Sequence, residues 1–126
     1  MGKVNEPEYW HFFLRIQRGQ PALELSEELT LSLENEAAHW EARIIVLGGT
    51  NNHLHLAVRL PHGHSHRRFV EHLKAASAPH IRWQKRHGAW LLSKAKLPYA
   101  ISYILCQKEH HTRGNLWPFW ELANRK

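Results

Sequence analysis

The sequence predicts one α+β domain over residues 1–126, with a sheet of short strands carrying helices. Three observations support this. Aromatic and β-branched runs with strand character alternate with stretches whose apolar residues recur at helical spacing. Gly, Pro and Asn clusters separate them at short intervals, so the connections are tight. No internal repeat or low-complexity linker divides the chain.

The first strand runs from Tyr9 to Gln17 and is broken by Gly19-Gln-Pro21. Ser26 is a helix N-cap with Glu27 and Glu28 in the first turn, where the helix dipole favours acids. Leu29, Leu33, Ala37 and Trp40 continue an amphipathic helix to about Glu41, with Glu34 and Glu36 facing out. Ala42 to Leu47 reads as a second strand and Gly48 to Asn52 as a turn. The third strand, His53 to Leu60, pairs with the second as an antiparallel hairpin and stops at Pro61.

Ser65 can cap a second helix through Phe69, Val70, Leu73 and Ala76, which Pro79 kinks or ends. Gly88 to Leu92 supplies a fourth strand. Pro98 suits the first turn of a third helix, with Ile101, Ile104 and Leu105 as its apolar side, running to about His111. The order β-α-β-β-α-β matches a ferredoxin-like sandwich with a C-terminal helix added. That fold hosts many functions, so the site must decide among them.

Composition narrows the choice. The longest apolar runs fall well short of the roughly 20 residues of a membrane helix, and polar Met1–Tyr9 is no signal peptide. The lone cysteine, Cys106, can build neither an internal disulfide nor a cysteine zinc site, and a cytoplasmic setting is expected. Residues 1–60 hold five Lys or Arg against eight Glu, a net −3; residues 61–126 hold twelve against three, a net +9. Such a basic half suits a polyanion, because phosphate neutralisation releases counterions. There are twelve histidines and no aspartate, so the usual paired-aspartate, two-metal nuclease is excluded, and a catalytic metal, if one is bound, must draw much of its coordination from histidine.

His53 and His55 lie two apart on a strand, so both imidazoles project from one face about 7 Å apart. On the third helix Tyr103 and Gln107 are four apart and share a face. Tyr99 lies a turn before them, and His110 and His111 about a turn after. A stripe of Tyr, Tyr and Gln opposite Ile101, Ile104 and Leu105 has no packing reason to exist.

Together these two segments resemble a known family. Asn51-Asn-His-Leu-His-Leu-Ala-Val58 is similar to the His-hydrophobic-His signature of the single-tyrosine HUH transposases of bacterial insertion sequences. These are the insertion-sequence-200-like transposases, which include the REP-associated tyrosine transposases. Tyr103-Ile-Leu-Cys-Gln-Lys-Glu-His-His111 resembles the segment carrying their nucleophile, and the likeness extends from about Tyr9 to Trp120. One step departs from it: Asn51-Asn52 stands where the family usually has Pro-Asn or Pro-Asp.

The resemblance implies metal-dependent cleavage and rejoining of single-stranded DNA through a 5′-phosphotyrosine. Tyr103 would be the nucleophile, and His53, His55 and Gln107 would bind Mg²⁺ or Mn²⁺. It also implies a hairpin beside the cut and a possible homodimer, with no membrane partner. Arg67, Arg68, Lys74, Arg82, Lys85 and Arg86 are the candidate DNA contacts. Trp83 and Trp90 nearby either stack on bases or join the core. Two alternatives remain: a domesticated, non-catalytic regulator that binds single strands or hairpins, and a zinc hydrolase using the histidine excess. His62, His64 and His66 read as a polar turn open to adventitious Zn²⁺ or Ni²⁺.

Overall fold

The computed structural model describes residues 6–21, 23, 25–78 and 81–106. Its elements are β1 (Glu8–Ile16), α1 (Glu27–His39), β2 (Arg43–Thr50), β3 (His53–Leu60), α2 (His66–Ser77), β4 (Trp83–Leu92) and α3 (Leu97–Leu105). The strands form one antiparallel sheet in the order β2-β3-β1-β4, as a ferredoxin-like sandwich requires. Among the described residues no helix is long and apolar enough to cross a membrane.

The pleat sorts the chain into two faces. Trp10, Phe12, Leu14 and Ile16 of β1 and Leu54, Leu56, Val58 and Leu60 of β3 share one apolar layer with Leu29, Leu33, Ala37, Phe69, Val70 and Leu73 of α1 and α2. Both helices start on the expected serines: Ser26 Oγ accepts from the Leu29 amide at 3.1 Å, and Ser65 Oγ from the Arg68 amide at 3.2 Å. The opposite face of the sheet carries α3.

Three expectations are corrected. First, Gly48, Gly49 and Thr50 belong to β2, and only Asn51-Asn52 make the turn. The two glycines are there for close approach: a Cβ on Gly48 would collide with the Ile104 carbonyl oxygen of α3, and one on Gly49 with the His53 carbonyl oxygen.

Second, the fourth strand begins at Trp83, well before Gly88, and is interrupted. The step from Leu14 to Ile16 on β1 is matched by the longer step from His87 to Trp83 on β4, so Gln84, Lys85 and Arg86 bulge from the ladder. Lys74 Nζ donates to the Gln84 and Lys85 carbonyls at 3.0 and 2.9 Å, holding the bulge to α2.

Third, α3 is rotated relative to the expected phase. Its buried set is Ala100, Tyr103 and Ile104, whereas Tyr99 and Leu105 are each 64% exposed. Tyr103 therefore shares the packed face with Ile104 rather than lying in a polar stripe opposite it. The expected continuation of α3 to His111 lies outside the described residues.

His87 opposes Leu14 and points into the α2 side, near Lys74, Glu71, His66 and Arg67. Burial pushes its imidazole down from 6.5 to about 4, and the Lys74 charge adds to the effect. Between those values the unfolded chain binds a proton that the fold refuses. Stability therefore falls as pH drops from 6.5 to about 4, then levels off. Replacing His87 with Gln removes this part of the acid loss, on the order of 1–2 kcal/mol once solvent screening is allowed for. Urea unfolding of both proteins at pH 7 and at pH 4.5 measures the difference.

Candidate active site

The face of the sheet beneath α3 is polar at its centre. His53 and His55 project together from β3, both fully buried, with ring centroids 5.1 Å apart and planes nearly perpendicular. Phe13, opposite His55 in register on β1, packs against both rings at 5.0 and 4.7 Å. α3 crosses above Gly48 and brings Tyr103 edge-on to His55, with ring centroids 5.6 Å apart.

A residue that the sequence reading passed over completes the group. His11 lies two positions before Phe13 on the same face of β1, is fully buried, and sits 6.3 Å from the Tyr103 ring. Its Nε2 is 2.7 Å from His55 Nδ1. Trp90, its register partner on β4, packs beside it at 5.1 Å. The signal was present: Tyr9, His11, Phe13 and Arg15 are alternate positions of β1, and beyond Glu8 only that set carries charged or imidazole groups.

The hydrogen bonds orient the imidazoles. His53 Nδ1–H donates to Asn52 Oδ1 at 2.8 Å, with Thr50 Oγ1 at 3.1 Å. A neutral His53 then has its lone pair on Nε2. If His55 Nδ1–H likewise donates to His11 Nε2, His55 also presents Nε2. Metal-binding imidazoles are commonly oriented in this way, by a hydrogen bond from the protein to one ring nitrogen. His11 Nε2 is committed to His55 and so fixes the orientation of that ring.

Two imidazoles so arranged fit part of a divalent-cation site. Among the described residues no three His, Cys or Glu side chains are grouped to hold a metal ion. A further donor would have to come from elsewhere. The expected one, Gln107, lies outside the described residues, as do His110 and His111.

The expected basic residues occupy a different region. Arg67 and Arg68 are exposed on the first turn of α2, and Arg82, Lys85 and Arg86 are exposed on or beside the edge strand β4. Lys74 is bound to the β4 bulge, and burial lowers its pKa. Trp83 belongs to the core, its Nε1 donating to Ser77 Oγ at 2.7 Å. The alternating histidines are dispersed: His66 stacks on Trp10 at 4.1 Å, His64 meets the edge of Trp40 at 5.3 Å, and His62 is exposed.

Comparison with known proteins bears on the family and the fold. The family model described as "Transposase IS200 like" matches residues 7–115. The fold is similar to a REP-associated tyrosine transposase solved with a REP hairpin, with a TM-score of 0.69 and 16% identity over 82% of this chain and 68% of that one. It is also similar to a protein of Deinococcus radiodurans R1 assigned as a transposase, with a TM-score of 0.60 and 19% identity over 80% of this chain and 91% of that one. No curated protein matches the sequence.

Proposed function

Because the chain belongs to the family of IS200-like transposases, we propose that it cleaves and rejoins single-stranded DNA through Tyr103, with His53, His55 and Gln107 binding Mg²⁺ or Mn²⁺. The observation that most supports this reading is the buried contact between Tyr103 and His55, beside His53. Burying His11, His53, His55 and Tyr103 costs free energy that a simple binding surface would not need to spend.

In this reading each residue has a chemical task. Tyr103 Oη attacks the scissile phosphorus as the P–O3′ bond breaks; the phenol loses its proton and the departing 3′ oxygen takes one up, leaving a 5′-phosphotyrosine and a free 3′-OH. A tyrosine hydroxyl, with a free pKa near 10, is a weak nucleophile at neutral pH. The divalent ion, when bound, would polarise the phosphate as a Lewis acid and so offset that weakness. His53 and His55 would hold the ion, while His11 and Asn52 keep their rings in place and Phe13 restricts ring rotation. Attack by a 3′-OH on the phosphotyrosine restores the tyrosine and rejoins DNA without ATP, since one phosphodiester replaces another.

The substrate is a single strand with a hairpin near the cut, as the hairpin bound to the REP-associated relative suggests. Arg67, Arg68, Arg82, Lys85 and Arg86 supply phosphate contacts.

The test is a covalent adduct. Wild-type protein, hairpin-bearing single strands and Mn²⁺ should give a protein–DNA species that survives denaturation and is lost when EDTA is added. Steeply salt-dependent binding without any adduct would overturn the reading in favour of a binding regulator.

A further inference from the structure

On the helix layer, across the sheet from the proposed reaction centre, a carboxylate stands between two imidazoles. Glu36, expected to face out, has a side chain only 20% exposed. Its Oε1 lies 3.8 Å from Nδ1 of His39, one turn later on α1, and its Oε2 lies 3.7 Å from Nδ1 of His72 on α2. Oε2 also accepts from Trp40 Nε1 at 3.1 Å, and that indole meets His72 edge-on with ring centroids 5.2 Å apart.

Such a carboxylate lacks a lasting positive partner. Among the described residues no Lys or Arg pairs with Glu36. A carboxylate largely withdrawn from water costs free energy unless a positive charge compensates it. An imidazole supplies that charge only when protonated. A divalent ion supplies it at neutral pH and uses the same imidazoles as neutral donors.

The donor set selects the ion. Two imidazole nitrogens and a carboxylate, with a fourth position for water, suit Zn²⁺, whereas Mg²⁺ and Ca²⁺ take oxygen-rich shells. With bonds of about 2.0–2.1 Å, two ligands of a tetrahedral zinc lie about 3.3 Å apart. Each ring therefore needs to approach the carboxylate by only about half an ångström. As they stand, the three side chains are not gathered around one point, so the ion has to draw the rings in. Both can turn, since the side chains of His39 and His72 are 78% and 53% exposed. Glu36 is the fixed member, its carboxylate held by the Trp40 indole.

We propose that Glu36, His39 and His72 form a Zn²⁺ site that clips α1 to α2. It is separate from His53 and His55, which project from the other face of the sheet. Binding there stabilises the fold, because the unfolded chain does not hold the three residues together. It also braces α2, whose first turn carries Arg67 and Arg68, against α1.

Titration of the metal-free protein with Zn²⁺ at neutral pH tests it, read by calorimetry and by thermal unfolding. His39→Ala and His72→Ala each remove one donor from an exposed position, and melting temperatures close to wild type in EDTA confirm that both fold. His62→Ala, exposed and outside the cluster, is the control. Wild type should bind one Zn²⁺ that both cluster variants weaken by more than the 10–100-fold that loss of an outer partner costs. At a hundredfold excess over its dissociation constant, this ion should raise the wild-type melting temperature by about 10 °C. That rise should vanish in both cluster variants and persist in His62→Ala.

Zn²⁺ taken up by His53 and His55 adds equally to every protein and does not mimic this result. Wild-type affinity and melting shift retained in either cluster variant overturn the site. An equal loss in His62→Ala overturns it in favour of unspecific pairing among surface histidines.

Discussion

Tyr103→Phe should reduce the covalent protein–DNA adduct by on the order of 10³-fold or more while leaving DNA binding in place. The substitution deletes one oxygen from a fully buried side chain and keeps the ring that packs edge-on to His55. Stability should change by only about 1 kcal/mol, the typical net worth of a hydrogen bond. Denaturing electrophoresis after incubation with Mn²⁺ reads the adduct, and thermal unfolding reads the fold. An adduct of wild-type intensity would remove Tyr103 as nucleophile and turn attention to Tyr99, which is largely exposed on another side of α3.

His55→Ala should abolish both the adduct and measurable Mn²⁺ binding, since it removes one of two proposed imidazole ligands. It should also destabilise the fold by roughly 2–4 kcal/mol, because it leaves a cavity and strips His11 of the nitrogen 2.7 Å away. The companion His11→Ala separates ligation from orientation. Loss of an outer partner typically costs 10–100-fold in metal affinity rather than all of it. His11→Gln, which can still meet His55 Nδ1, should recover part of that loss. Titration calorimetry with Mn²⁺ ranks the three variants without reference to activity. Equal Mn²⁺ affinity in wild type and His55→Ala would sink the proposed ligand set.

Much of the architecture was legible because short-range rules govern it. Ser26 and Ser65 cap their helices as their spacing requires, and period-two alternation put His53 and His55 opposite Leu54 and Leu56. The misreadings fall where tertiary contacts override local pattern. Gly48 looks like turn chemistry in isolation, but its missing side chain makes room for a helix far along the chain.

The phase of α3 was misread for a related reason. Leu97–Leu105 is apolar on most of its circumference, so periodicity does not single out the buried side; the crossing over Gly48 selects it. The β4 bulge leaves no local mark in the sequence, and Lys74 therefore read as a phosphate contact rather than as the tether of two bulge carbonyls. His11 was hidden among aromatics, since Tyr9 to Phe13 places ring side chains on both faces of β1.

Complete burial of Tyr103, His53 and His55 carries a consequence for the affinity of any strand that reacts there. In the proposed reaction the phosphate would reach these side chains only in molecules whose cover is lifted. The observed dissociation constant then exceeds the intrinsic one by the inverse of that open fraction. An open population of about one in a hundred weakens apparent binding about a hundredfold. If the close approach of α3 to Gly48 is part of that cover, the same packing that brings Tyr103 beside His55 would oppose substrate entry, trading access for order at the centre.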